Sequence, residues 1–208
     1  MFAIIRNGLA LIGLLALLGG IFSFATAQQD NANQTGFNLM AEMAIIKDLD
    51  PKAMQVYSQM WQKLKDTKNS AAASVWKVPL AEGVSWQDAE ESMRLIANEH
   101  NMRAVGELPL SEQVELETDE EQRFLKIYQF CDPQTAMQMV NYHAAFAAYL
   151  PCRIAMVEDK QGNFNLYALN MDIMIYGGAP LPPELRKEAE RVKRIMLDIM
   201  NRSAIGDF

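Results

Sequence analysis

The feature that most restricts the fold is a strand that runs into a helix start, with a second strand beginning soon afterwards. Phe124-Leu-Lys-Ile-Tyr-Gln-Phe130 alternates and is rich in β-formers, so it predicts a strand with one buried face. Cys131-Asp132-Pro133 follows, where Asp132 supplies a helix cap and Pro133 suits a first turn. The helix expected from there to about Ala148 carries Ala136, Met139, Val140, Ala144 and Ala147 as an apolar stripe. Tyr149-Leu150-Pro151-Cys152-Arg153 then opens another strand. Read as strand, returning helix and parallel strand, this is a crossover unit of the right-handed kind. Cys131 would close the first strand and Cys152 would open the second, at opposite ends of the sheet. A strand advances about 3.3 Å per residue, so the gap would exceed the ~7 Å Cα limit for a disulfide. Two separate thiols are expected.

The remaining elements follow from the same signals. Val75 to Leu80 reads as a strand, and Ser85-Trp86-Gln87-Asp88 as a capped helix start. Trp86, Ala89, Met93, Ile96 and Ala97 give that helix one apolar face, and Met102 to Leu108 is the next strand. Glu112 to Gln122 is acidic with little to bury, so it reads as a solvated loop; it lacks the ligand spacing and turn glycine of an EF-hand. Cys152 to Val157 and Phe164 to Leu169 form a hairpin, and Pro183 to Asn201 a final helix. The order is β-α-β-β-α-β-β-α. It predicts an α+β sandwich with helices on one face of a mixed sheet. The other sheet face would need cover, from a partner subunit or from the helices predicted within Phe37 to Leu64.

Three regions are expected: residues 1–27, 28–73 and 74–208. In the first, Arg6 precedes an uncharged run from Gly8 to Ala27. A positive residue before an apolar segment holds that end in the cytoplasm and sends the rest outward. Ala25-Thr26-Ala27 fits a signal-peptide cleavage site, while the run is also long enough to span a ~30 Å hydrocarbon layer as a retained helix. Signal peptide and transmembrane anchor both remain open. Either one places the domain outside the inner membrane of a bacterium, membrane-bound or free in the periplasm. The second region is a polar linker followed by a helix that starts at Asp50-Pro51, with Met54, Tyr57, Met60, Trp61 and Leu64 at helical spacing. The net charge of −7 argues against nucleic acid as a partner.

The Cys131-Asp132-Pro133 turn after a strand, with Leu150-Pro151-Cys152-Arg153 at the start of the next, resembles the family called domain of unknown function 302. The resemblance spans about Ser74 to Asn170. It implies a small α+β domain that pairs as a homodimer, and it carries no catalytic residue. The segment from Asn170 to Gly178 and the last helix are similar to a longer, membrane-attached subset found in sulfur-oxidising and phototrophic bacteria.

Several residues could carry chemistry. Cys131 sits at a helix N-terminus, where the dipole favours a thiolate; Cys152 is the second candidate thiol, and the bland alternative for both is a small buried hydrophobe. Cys131, Asp132, Arg153, Asn170 and Asp172 lie near expected strand ends and form the candidate ligand-binding set. No metal site is predicted, since CxxC and HxxxH spacings are absent. His143, Met171 and Met174 are the weak metal candidates, with Met137 and Met139 nearby for a soft ion such as Cu(I). CxxCH is missing, which excludes covalent c-type haem. Cofactor identity stays unknown. The leading expectation is an accessory binding module in redox or sulfur metabolism, with a possible protein partner. The alternatives are a thiol enzyme or sulfur carrier using Cys131, and a haem or copper protein.

Overall fold

The computed structural model describes residues 46–207. The signal or anchor segment, most of the linker and the start of the helix expected at Phe37 lie outside the described residues. Among the described residues no helix is long and apolar enough to cross a membrane.

Helix α1 (Ala53–Thr67) and the short α2 (Ser70–Ser74) lead into β1 (Val75–Pro79). Helix α3 (Trp86–Glu99), β2 (Arg103–Pro109), α4 (Leu110–Thr118) and β3 (Leu125–Cys131) follow. Helix α5 (Pro133–Tyr142) and a 3-10 helix (Ala144–Tyr149) precede the hairpin of β4 (Cys152–Glu158) and β5 (Phe164–Leu169). Helix α6 (Met171–Tyr176) and the long α7 (Pro183–Ser203) complete the unit. The strands form one five-stranded sheet in the order β1-β5-β4-β3-β2.

The α+β class is as expected, but the sheet is antiparallel throughout instead of mixed. In particular β3 pairs antiparallel with β4, and Phe130 lies opposite Cys152. The expected crossover is therefore overturned. His143 adopts an extended backbone (φ −156°, ψ 123°), which ends α5 after ten residues. Such a helix is only about 15 Å long. The 3-10 helix then brings the chain back, so residues 133–149 make an excursion over one end of the sheet. Both cysteines sit at that same end.

One sheet face is covered by helices, and the sequence explains how. Ser85 and Asp88 close a capping box at the start of α3, with Asp88 N–H on Ser85 Oγ at 3.1 Å. Ala89, Met93, Ile96 and Ala97 of α3 and Leu185, Ala189, Val192, Ile195, Met196, Ile199 and Met200 of α7 are buried. They meet Tyr128, Phe130, Ile154, Met156, Leu166 and Ala168 from alternate strand positions. Each such aliphatic side chain contributes roughly 1.5–3 kcal/mol by leaving water. The opposite face shows Ile127, Ala155, Tyr167 and Leu169, none of them buried.

Two further expectations change. The acidic stretch read as a loop is helix α4, which buries only Ser111. Glu, Gln and Leu are good helix formers, and an exposed helix needs no apolar period to reveal it. Helix α1 packs through Ala53 and Val56, while Met54, Tyr57 and Trp61 of the predicted stripe stay exposed. Tyr57 donates to the Gly177 carbonyl at 2.6 Å, and Asp50 N–H to Gly178 O at 2.8 Å, which tie α1 to the loop after α6.

Candidate functional site

The ends of β3 and β5 and the starts of β4 and β1 come together at one edge of the sandwich, and a cleft opens there. Its volume is about 330 Å³, at the lower end of the roughly 300–1,000 Å³ usual for ligand pockets. The sheet contributes Trp76, Ile127, Cys131, Cys152, Arg153, Ala155, Tyr167 and Ala168. Helix α5 adds Thr135, Ala136 and Met139; the 3-10 helix adds Phe146 and Tyr149; α6 adds Met171 and Met174; α7 adds Ala189, Val192 and Met196. The lining is overwhelmingly apolar. A wider, more open recess of about 560 Å³ adjoins it, sharing Phe146, Tyr149 and Met174 and adding Tyr57, Tyr142 and His143.

Local sequence fixes the roof. Asp132 caps α5 by accepting the N–H groups of Gln134 at 3.1 Å and Thr135 at 3.0 Å. Its other oxygen is paired with Arg191 of α7, which latches α5 onto the final helix. Burial works against ionisation of Asp132, but the Arg191 hydrogen bond and the Thr135 N–H hold its carboxyl below the ordinary range. Asn170 caps α6 through the Asp172 N–H at 3.0 Å, and Asp172 is paired with Lys193. Asp132, Asn170 and Asp172 thus have structural partners, whereas Arg153 is exposed and enters none of the ion pairs among the described residues.

Of the residues singled out in the sequence, Cys131, Asp132, Cys152, Arg153, Asn170, Met171 and Met174 line this one cleft, as does Met139. Asp172 is drawn away to Lys193, and Met137 is exposed. The cysteines were expected at opposite ends of the sheet, and antiparallel pairing instead puts both at the same end. Both thiols are free. Because Cys152 lies opposite Phe130, Cys131 is one residue out of step, and its side chain leaves the sheet on the other face. Adjacent backbones with diverging side chains do not meet disulfide geometry.

Neither thiol is activated. Burial, followed by the Asp132 charge, pushes the Cys131 thiol up, with Arg103 only partly opposing. The Asp132 carboxylate also takes the helix N–H groups that would otherwise stabilise a thiolate. Burial carries Cys152 further, to about 11. At pH 7.5 iodoacetamide should modify Cys131 more slowly than a free cysteine and Cys152 at least tenfold more slowly, with the difference abolished in denaturant. Mass spectrometry of timed samples measures this directly.

His143 lines the adjoining recess, and its Nδ1 accepts the Ala145 N–H at 3.2 Å. Among the described residues no three His, Cys, Asp or Glu side chains gather as a metal set. Sequence reasoning missed Trp76, Phe146, Tyr149 and Met196, whose common location depends on tertiary packing; the aromatic spacing of Tyr142, Phe146 and Tyr149 was the one available signal.

The sequence profile of the family described as domain of unknown function DUF302 matches residues 76–203. The match continues beyond Asn170, where the resemblance was expected to end, so α6 and α7 belong to the family domain. No curated protein matches the chain. A crystal structure of an uncharacterized conserved DUF302 protein from Bacillus stearothermophilus superposes with a TM-score of 0.50 at 14% identity, covering 62% of this chain and 97% of that one. That likeness shows a shared fold. With most of its length inside the family's profile, the chain belongs to the DUF302 family.

Proposed function

We propose that this domain is a binding module for a small, largely apolar ligand held in the cleft at the Cys131–Cys152 end of the sheet. The observation that carries the reading is a 330 Å³ apolar cleft lined by five of the candidate residues named from sequence, Cys131 of β3, Cys152 and Arg153 of β4, and Met171 and Met174 of α6. Apolar walls with a few polar groups are what a small-molecule site requires. The raised thiol pKa values of Cys131 and Cys152 favour binding over thiol chemistry.

A ligand that binds only the folded state raises the melting temperature by mass action. Saturating decanol, a neutral apolar probe, should therefore stabilise the wild-type protein. Ala136→Phe, which fills the cleft, should remove that increment whatever its own melting temperature. No increment in the wild type, or an equal one in Ala136→Phe, would reject the site.

The proposal extends to setting. The Gly8–Ala27 run supports display on the outer side of the bacterial inner membrane, as an anchored or released periplasmic domain. Pairing as a homodimer rests on the family that the sequence resembles. A role in sulfur or redox metabolism rests on the membrane-attached subset that the sequence resembles.

One observation favours a second reading. Met139, Met171, Met174 and Met196 line the same cleft as the two thiols, a soft-donor set suited to Cu(I). Competition with a colorimetric Cu(I) chelator decides it: stoichiometric capture lost in Met171→Leu/Met174→Leu supports copper, and failure to compete removes it.

A further inference from the structure

The chemistry of the ligand's polar end can be read from the charges at the mouth of the cleft. The chain is acidic overall, at −7, yet two exposed arginines outside any ion pair among the described residues stand at this end of the sheet. Arg153 lines the cleft, is exposed, and lies opposite Gln129 on β3. Arg103 on β2 lies directly opposite Cys131 and is also exposed. Side chains at Gln129 and Cys131 are two residues apart and so share a face, which puts both arginines on the open face of the sheet, flanking β3.

Of the eight arginines among the described residues four sit in ion pairs, and Arg123 and Arg194 are outside them as well. Arg94 is held by Glu90 and Glu107, Arg186 by Asp50, Arg191 by Asp132 and Glu188, and Arg202 by Glu99 and Asp207. Among the described residues, Arg103 and Arg153 enter no ion pair. The one acid of the lining, Asp132, is neutralised by Arg191. An anion at this mouth would meet two guanidinium groups and no free carboxylate of the lining. A planar guanidinium recognises a carboxylate with paired hydrogen bonds.

Resting on the cleft as the binding site, we propose that its ligand is a single-chain amphiphile with an anionic head, a medium-chain carboxylate. The tail lies along the apolar lining of the cleft, and the head sits between Arg153 and Arg103 beside the Cys131 thiol. The size fits one chain. At roughly 30 Å³ per heavy atom, the share of a water in the liquid, the 330 Å³ cleft takes about eleven atoms.

The test compares three ten-carbon probes by calorimetry on the full chain held in nanodiscs, with empty nanodiscs as the blank. Decanoate should bind at least tenfold more tightly than decanol, and decyltrimethylammonium more weakly than either. Arg103→Gln/Arg153→Gln should abolish the preference for decanoate over decanol. Both positions are exposed, and circular dichroism checks that the variant is folded. Equal affinities of decanoate and decanol for the wild type would overturn the anionic head while the cleft reading stands. A decanoate preference that survives the double substitution would overturn the role of these arginines. Absence of saturable binding by all three probes would overturn the cleft reading and this inference with it.

Discussion

Glu90→Ala is expected to destabilise the domain by about 3–5 kcal/mol, the usual cost of breaking a buried ion pair by removing one partner. Glu90 is on α3 with its side chain only 11% exposed, and it accepts from three groups. Tyr128 Oη donates to it at 2.5 Å, Lys126 Nζ lies at 2.9 Å, and the Arg94 guanidinium is in contact. Lys126 and Arg94 also reach Glu107 of β2, at 2.8 and 2.6 Å. Removing Glu90 leaves the buried Tyr128 hydroxyl without its acceptor and Lys126 with half of its countercharge. Glu90→Gln keeps an acceptor for Tyr128 and should cost less. Urea unfolding of the three proteins measures both differences.

The same cluster sets an acid limit. Burial pushes the Glu107 carboxyl up, but hydrogen bonds from Lys126 and Arg94 outweigh it and hold the pKa below the ordinary 4.5. A carboxyl lowered in the folded state contributes stability that is fully present above its unfolded value and is lost as pH falls through the folded one. Wild-type stability should therefore decline below about pH 4.5, and Glu107→Gln should flatten that decline. A slope unaltered by Glu107→Gln would assign the acid sensitivity elsewhere.

Met196→Ala should be nearly as costly, at about 3 kcal/mol, within the range for deleting a buried methionine side chain. Met196 is 1% exposed, in the core face of α7 and in the wall of the cleft. The consequence for binding runs the other way. Truncation lengthens the space open to an apolar tail, so dodecanol should gain affinity over decanol in the variant. Ile199→Ala, equally buried on the same helix but outside the cleft lining, should lose comparable stability without that change. Paired melting and binding curves separate the two effects.

What the sequence could show depended on whether a signal was local. The capped start of α3 at Ser85–Asp88, the hairpin from Cys152 to Leu169 and the apolar stripe of α7 are written in short-range patterns, and all are present. Strand direction is not local. The segment after Cys131 has the length and stripe of a crossover helix, and only the extended backbone at His143 turns it into an out-and-back excursion. That one break converts a parallel pair into an antiparallel one.

The site shows the same division. Cys131, Asp132 and Cys152 were marked by their place at element ends, but only the antiparallel pairing of β3 and β4 brings the end of one strand and the start of the other to the same edge. The helix start that made Cys131 a candidate thiolate is offset by burial and then by Asp132, the cap residue at the same turn, and both raise the thiol's pKa. The network around Glu90 was invisible, since Glu90, Glu107, Lys126 and Tyr128 come from three elements and resemble ordinary surface residues in sequence.

Methyl-labelled methionine is the most direct probe of the cleft. Met139, Met171, Met174 and Met196 line it, whereas Met93, Met156 and Met200 are buried elsewhere in the core. Titration of the full chain with decanol, followed by carbon-13 methyl spectra, should move the first four resonances along one saturating curve and leave the other three in place. Shifts confined to Met93, Met156 and Met200, or no shift at a concentration that raises the melting temperature, would contradict a ligand site between α5, α6 and α7.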